Sequence, residues 1–120
     1  MKLALTLHTV VLAIYAVLLL VIPMGFLALY GVTLSPGAEV VARFLGGLAA
    51  GNAALSWLSR DQPASALQNI AVSFAVDWLL IFVVGILGQI AGAMNALGWT
   101  TVLLALIWLV FFGYFRFMKA

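Results

Sequence analysis

The sequence predicts an all-α fold, an integral membrane four-helix up-down bundle. Three observations carry that prediction. Of 120 residues, 68% are hydrophobic and only 7% charged, whereas a soluble fold needs roughly 25% charged residues to keep its surface in water. The apolar residues fall into four runs, each near the roughly 20 residues that a helix needs to cross a hydrocarbon core about 30 Å thick. The connections between the runs are short, so consecutive helices become antiparallel neighbours. A membrane barrel would require alternating segments of about ten residues instead.

The first run, Leu3 to Ile22, is about 20 residues long, beyond the roughly 7–15 of a signal-peptide core. It is followed by Pro23-Met24-Gly25-Phe26 rather than a small-x-small cleavage site, so it reads as a retained span. Pro23 ends it by removing a helix hydrogen bond. Residues 24–34, broken by Gly25 and Gly31, suit either an interfacial or re-entrant stretch or a kinked extension of the first helix. Ser35-Pro36 opens the second span, 38–59, because serine caps the first free amides and proline suits the first helical position. Arg60-Asp61-Gln62-Pro63 makes the most polar turn and leads into the third span, 64–90. Gly92-Ala93-Met94-Asn95-Ala96 then connects to the fourth span, 98–117.

Orientation follows from the basic residues. Lys2, Arg60, Arg116 and Lys119 fall on one side of a four-span chain, and the other two connections contain no Lys or Arg. The excess of basic residues marks the cytoplasmic side, which puts both termini in the cytoplasm. Trp57 and Tyr114 sit near the inner interface, and Tyr30 and Trp99 near the outer one, as interfacial aromatics should. The net charge of +2 rests on five basic residues, too few and too dispersed for a nucleic-acid surface. Cysteine is absent, which excludes disulfides and thiolate metal sites.

Small residues let membrane helices approach closely. Ala42, Gly46, Ala50 and Ala54 recur every four positions in the second span, beside a GxxxG match from Gly47 to Gly51. Gly85, Gly88 and Gly92 follow in the third span. These faces suit packing inside the bundle or a dimer.

Few polar residues lie within the spans. Asp77 is near the middle of the third, where a carboxylate costs roughly 2.5–3.5 kcal/mol and calls for a partner. Ser73 and Asn69 precede it at four-residue steps on one helix face. Together they make a candidate polar track ending in a proton- or cation-binding carboxylate, or a hydrogen-bonded group that fixes helix register. Arg43 is the natural counter-charge, although it lies about 12 Å shallower than Asp77 at 1.5 Å per residue. Glu39, four residues before Arg43, competes as its partner. Either Arg43 pairs with Glu39 and reaches the outer surface, or Glu39, Arg43 and Asp77 form one network. Asn52 points away from Arg43 and is expected to make an interhelical hydrogen bond. His8 shares a face with Tyr15 and is expected to be an interfacial hydrogen-bonding residue. Haem ligation by two histidines would need a second chain, because each chain has one. No phosphate-binding loop, two-His metal spacing or Ser/His/Asp set is present. No catalytic residue, metal ligand or cofactor is expected.

Ala42-Arg43-Phe44-Leu45-Gly46-Gly47, Ser56-Trp57-Leu58-Ser59-Arg60, Gly88-Gln89-Ile90-Ala91-Gly92, Asn95-Ala96-Leu97-Gly98-Trp99 and Phe112-Gly113-Tyr114-Phe115 resemble a bacterial family of small, uncharacterised four-helix inner-membrane proteins, loosely DoxX-like. The resemblance runs from the second span to the C-terminus and implies fold and inner-membrane location, with no established activity. Two function classes follow. One is a non-enzymatic accessory or structural subunit, packed against a membrane-protein partner or a second copy within the lipid bilayer. The other is a small transporter, channel or lipophilic-ligand binder built on Asp77 and Arg43. Small multidrug exporters share the size, but their acidic residue lies in the first helix, and here that helix has none.

Overall fold

The computed structural model describes residues 1–118, so Lys119, counted above among the basic residues of one side, lies outside the described residues. Five helices occur: α1 (Lys2–Val21), α2 (Pro23–Ala28), α3 (Pro36–Leu58), α4 (Ala64–Ile90) and α5 (Gly98–Met118). No strand occurs among the described residues. The chain divides into two compact units, Met1–Asp61 and Gln62 onward. Each is an antiparallel helical hairpin, α1 on α3 and α4 on α5.

The punctuation lies where the sequence places it. Ser35 accepts a hydrogen bond from the Ala38 amide at 3.2 Å, and Pro36 is the first residue of α3. Gly92 ends α4 at φ 72. Its amide donates to the Gln89 carbonyl, and that of Ala93 to the Gly88 carbonyl, the paired bonds of a glycine-terminated helix. Gly31, at φ 76, closes α2 in the same way, with Gly31 bonded to Ala28 and Val32 to Leu27.

Residues 24–34 do not extend α1 in a straight line. The chain breaks at Ile22, and α2 folds back so that Phe26 packs edge-on to Tyr15, with ring centroids 5.8 Å apart. Phe26 joins Leu19 of α1 and Ala42 of α3 in one apolar cluster, with Tyr15, Leu18, Tyr30 and Leu34 around it. The short helix therefore covers the end of the first hairpin.

The α1 contact takes only part of the small-residue stripe of α3. The buried residues of α3 are Ala42, Gly46, Ala53 and Ser56, with Ala49 half-buried between them. Ala50 and Ala54 are exposed. A residue every four positions advances about 400°, so such a stripe drifts about 40° per step around the helix. Alternating steps of three and four hold one face toward the neighbour. The partner seam on α1, Leu5, His8, Leu12, Ala16 and Leu19, steps in the same manner. At Gly46 the backbones come closest, since an added Cβ would lie 3.0 Å from Leu19 Cβ and 3.1 Å from the Leu20 amide nitrogen. Gly47 and Gly51 have nothing within 4 Å and lie outside this seam.

The second hairpin buries Leu67, Ala71, Phe74, Trp78 and Gly85 of α4 against Val102, Ala105, Trp108 and Phe112 of α5. Phe74 and Phe112 meet at 5.2 Å, and Trp108 stacks on Phe112 at 5.7 Å. At the turn, Gln89 Nε2 donates to the Asn95 carbonyl at 3.1 Å. The Gln89 carboxamide lies directly on the Gly98 backbone, where a side chain would collide.

Outward, the helices remain apolar. Leu3, Leu7, Val10, Ile14 and Val17 line the exposed side of α1, and Leu103, Leu106, Ile107 and Val110 that of α5. Three helices, α1, α4 and α5, are long and apolar enough to cross a membrane. The fourth expected span, α3, is long enough at 23 residues, but Glu39, Arg43, Asn52 and its glycines reduce its apolar character.

Gly46→Ala is expected to destabilise the first hairpin by about 1–3 kcal/mol, because Leu19 Cβ and the Leu20 nitrogen are fixed to the main chain and cannot swing aside. Gly47→Ala, in open space, is expected to be neutral or stabilising by up to about 1 kcal/mol. Thermal unfolding followed by circular dichroism in detergent checks the opposite signs.

Candidate functional site

The most deeply buried polar contact lies within the first hairpin. His8 Nδ1 and Ser56 Oγ share a hydrogen bond of 2.7 Å, and both residues have 0% exposed surface. Each occupies a seam position, so the antiparallel register of α1 and α3 brings together residues 48 apart in sequence. Next to them, Thr9 Oγ1 donates to the Leu5 carbonyl at 2.8 Å and reaches the Ala53 carbonyl at 3.3 Å, tying α1 to α3 a second time. A serine 2.7 Å from an imidazole has the spacing of a nucleophile and its base. Full burial of both removes any path for a substrate, and the His8 ring presents no open face to a haem. The pair is a hydrogen bond inside the α1–α3 contact, and His8 is hydrogen-bonded as expected.

The outer ion pair is local to α3. Arg43 Nη2 donates to Glu39 Oε1 at 2.9 Å across one helical turn. Both side chains keep partial exposure, 49% and 28%, so the pair is worth little to stability. The Glu39–Arg43 contact, common to both expected arrangements, is present. Asn52 is half-buried on α3.

Asn69, Ser73 and Asp77 belong to the second hairpin. Asn69 and Ser73 are exposed and Asp77 is half-buried, while neighbouring Phe74 and Trp78 fill the seam. The stripe thus runs along the flank of the α4–α5 contact, with Asp77 fourteenth of the 27 residues of α4.

Sequence reasoning missed the polar end of the first hairpin. Lys2 Nζ donates to Asp61 Oδ1 at 2.9 Å, closing the start of α1 onto the residue that ends the α3 turn. Arg60 Nε donates to the Trp57 carbonyl at 3.0 Å, and its guanidinium carbon lies 3.3 Å from the centre of the Trp57 ring, a cation–π contact. The Asp61 carboxyl is held below its ordinary pKa, first by the hydrogen bond from Lys2, then by the Lys2 charge, with Arg60 adding less. The signal available in the sequence was the antiparallel pairing itself, which sets residue 2 opposite residue 61.

No protein-family model, curated protein or solved structure matches the chain.

Two outcomes follow from these contacts. Ser56→Ala is expected to cost about 1–3 kcal/mol by removing the hydroxyl that bonds the buried imidazole, and His8→Leu with Ser56→Ala together less than the sum of the single changes. A double-mutant cycle on thermal unfolding measures that coupling. A folded-state pKa below the unfolded one gives stability that is complete above about pH 3.9 and lost as pH falls through the depressed value. Acid unfolding is therefore expected to lose its Asp61-dependent part in Asp61→Asn.

Proposed function

We propose that the chain is a four-span protein of a bacterial inner membrane, with both termini cytoplasmic, acting as a non-enzymatic accessory or structural subunit. The observation that carries this reading is the outer face of α3. Gly47, Ala50, Gly51 and Ala54 are exposed from their own hairpin, and nothing lies within 4 Å of a Cβ placed at Gly47 or Gly51. Helices in lipid associate through such bare backbone, because lipid gives no hydrophobic drive for association. The apolar outer sides of α1, α4 and α5 support the membrane placement, since helices apolar all round are buried in protein or lipid. The basic residues support the orientation. In the first hairpin Lys2 and Arg60 share one end, and in the second Arg116 lies at the end where α4 begins.

A second reading has its own observation. Asp77 is half-buried at the middle of α4, on one stripe with Ser73 and Asn69. A carboxylate at that depth suits proton- or cation-linked transport or binding of a lipophilic ligand.

Native mass spectrometry of the protein gently extracted from its own membranes tests the first reading and separates the two. A stoichiometric second polypeptide is expected, lost in the Gly47→Ile, Gly51→Ile variant while thermal unfolding of the chain is unchanged. A lone chain, or an assembly indifferent to those changes, overturns the subunit reading. Asp77→Asn is expected to leave the assembly intact; loss of a proton-linked activity with assembly preserved would favour the second reading.

A further inference from the structure

The polar end of the first hairpin distributes its charges unequally. Asp61 adjoins Arg60 in sequence, yet its carboxylate takes its 2.9 Å hydrogen bond from Lys2. Lys2 is therefore compensated, and among the described residues no carboxylate pairs with Arg60. The Arg60 guanidinium instead contacts Trp57 twice. Its Nε–H is spent on the Trp57 carbonyl at 3.0 Å, and its plane is set by the Trp57 ring at 3.3 Å. A guanidinium held at Nε and on one face presents its Nη edge as a two-donor fork, which fits two oxygens of one phosphate.

The surface beside this fork is apolar. Trp57 is 48% exposed and Leu58 73% exposed at the last turn of α3. Tryptophan with an arginine above it, at the end of an apolar helix, matches the boundary between acyl chains and headgroups. A single cation with no carboxylate in direct contact matches the single negative charge of a phosphodiester better than a polyanion. A soluble phosphate would make no use of the exposed indole and Leu58.

We infer that Arg60 and Trp57 form a binding site for the headgroup of an anionic phospholipid in the leaflet on the basic side. The Arg60 fork takes the phosphodiester oxygens, and Trp57 and Leu58 lie against the upper acyl chain. The site rests on the membrane placement proposed above. Basic residues just outside a membrane helix attract anionic lipid electrostatically; here the stacked guanidinium adds a directional contact.

The test uses the full chain in mild detergent, titrated with phosphatidylglycerol or phosphatidylcholine and read by native mass spectrometry. The wild-type chain is expected to retain phosphatidylglycerol in preference. Arg60→Gln is expected to retain it about tenfold less, the scale of one charge-assisted hydrogen bond. Arg60→Lys, which keeps the charge and loses the fork, is expected to fall between them. Thermal unfolding of each variant without added lipid checks that the hairpin is intact. Equal phosphatidylglycerol retention by wild type and Arg60→Gln overturns the site. Equal retention of the two lipids by the wild-type chain overturns the anionic assignment, and displacement of lipid by millimolar inorganic phosphate shows that the fork takes a soluble anion instead. Alkaline carbonate extraction separates this from the membrane placement. A chain released by carbonate refutes that placement and the lipid site with it, whereas a retained chain with indifferent Arg60→Gln refutes the site alone.

Discussion

Both hairpins depend on one geometric condition, that the residues facing the neighbouring helix recur on average every 3.5 positions. Leu5, His8, Leu12, Ala16 and Leu19 meet it on α1, as do Ala42, Gly46, half-buried Ala49, Ala53 and Ser56 on α3. Leu67, Ala71, Phe74, Trp78, half-buried Phe82 and Gly85 continue the rule on α4. Once the seams are set, the remaining features follow as consequences of register. Gly46 must be small because it meets the Leu19–Leu20 backbone, His8 must face Ser56, and the chain start must come back beside Asp61. The two hairpins fill their seams differently. The first relies on a glycine and small residues for close approach, the second on Phe74, Trp108 and Phe112 stacked between its helices.

The helices were legible because their ends are marked by residues with local mechanisms. Ser35 caps, Pro36 and Pro63 open helices, and Gly92 takes the positive φ that closes one. None of these depends on what the rest of the chain does. The long-range partners were not legible in the same way. His8–Ser56 and Lys2–Asp61 join residues 48 and 59 positions apart, and their pairing is decided by a register that single-residue punctuation does not encode. The α1 contact takes only Ala42 and Gly46 of the every-four stripe Ala42, Gly46, Ala50 and Ala54 for a related reason. The stripe counts small residues without asking whether their spacing matches the helix period, and over its three steps the direction drifts by about 120°. The i,i+4 Glu39–Arg43 pair was legible because it lies within one helix. The short α2 was only partly so: Gly25 resembles a breaker but lies inside the helix, and the fold-back depends on Phe26 finding Tyr15 and Leu19.

The hydrogen-bonded groups divide by depth. His8, Ser56 and the Thr9 hydroxyl are used between α1 and α3, where an unsatisfied polar atom would be expensive. Arg43, Glu39, Lys2 and Asp61 sit toward hairpin ends and keep exposed surface. Hydrogen bonds gain strength in an apolar interior, and charges cost least where they keep exposed surface. The half-buried Asp77, at the middle of α4, departs from that distribution, which is why it anchors the second functional reading.

The least apolar long helix is also the one richest in glycine and alanine, and the two facts have one cause. Glycine and alanine remove the side chains that would supply hydropathy, and α3 carries Gly46, Gly47, Ala49, Ala50, Gly51, Ala53 and Ala54 in a span of nine positions. One side of that run is consumed by α1, through Gly46 and Ala53. On the other side, Gly47, Ala50, Gly51 and Ala54 are exposed among the large side chains of Phe44, Leu45, Leu48 and Leu55. In lipid, those large side chains would meet acyl chains, while the glycines would gain more van der Waals contact from a second helix. The composition of α3 thus sets it apart from α1, α4 and α5: close backbone approach to α1 on one side, and a mixed surface of small and large residues on the other.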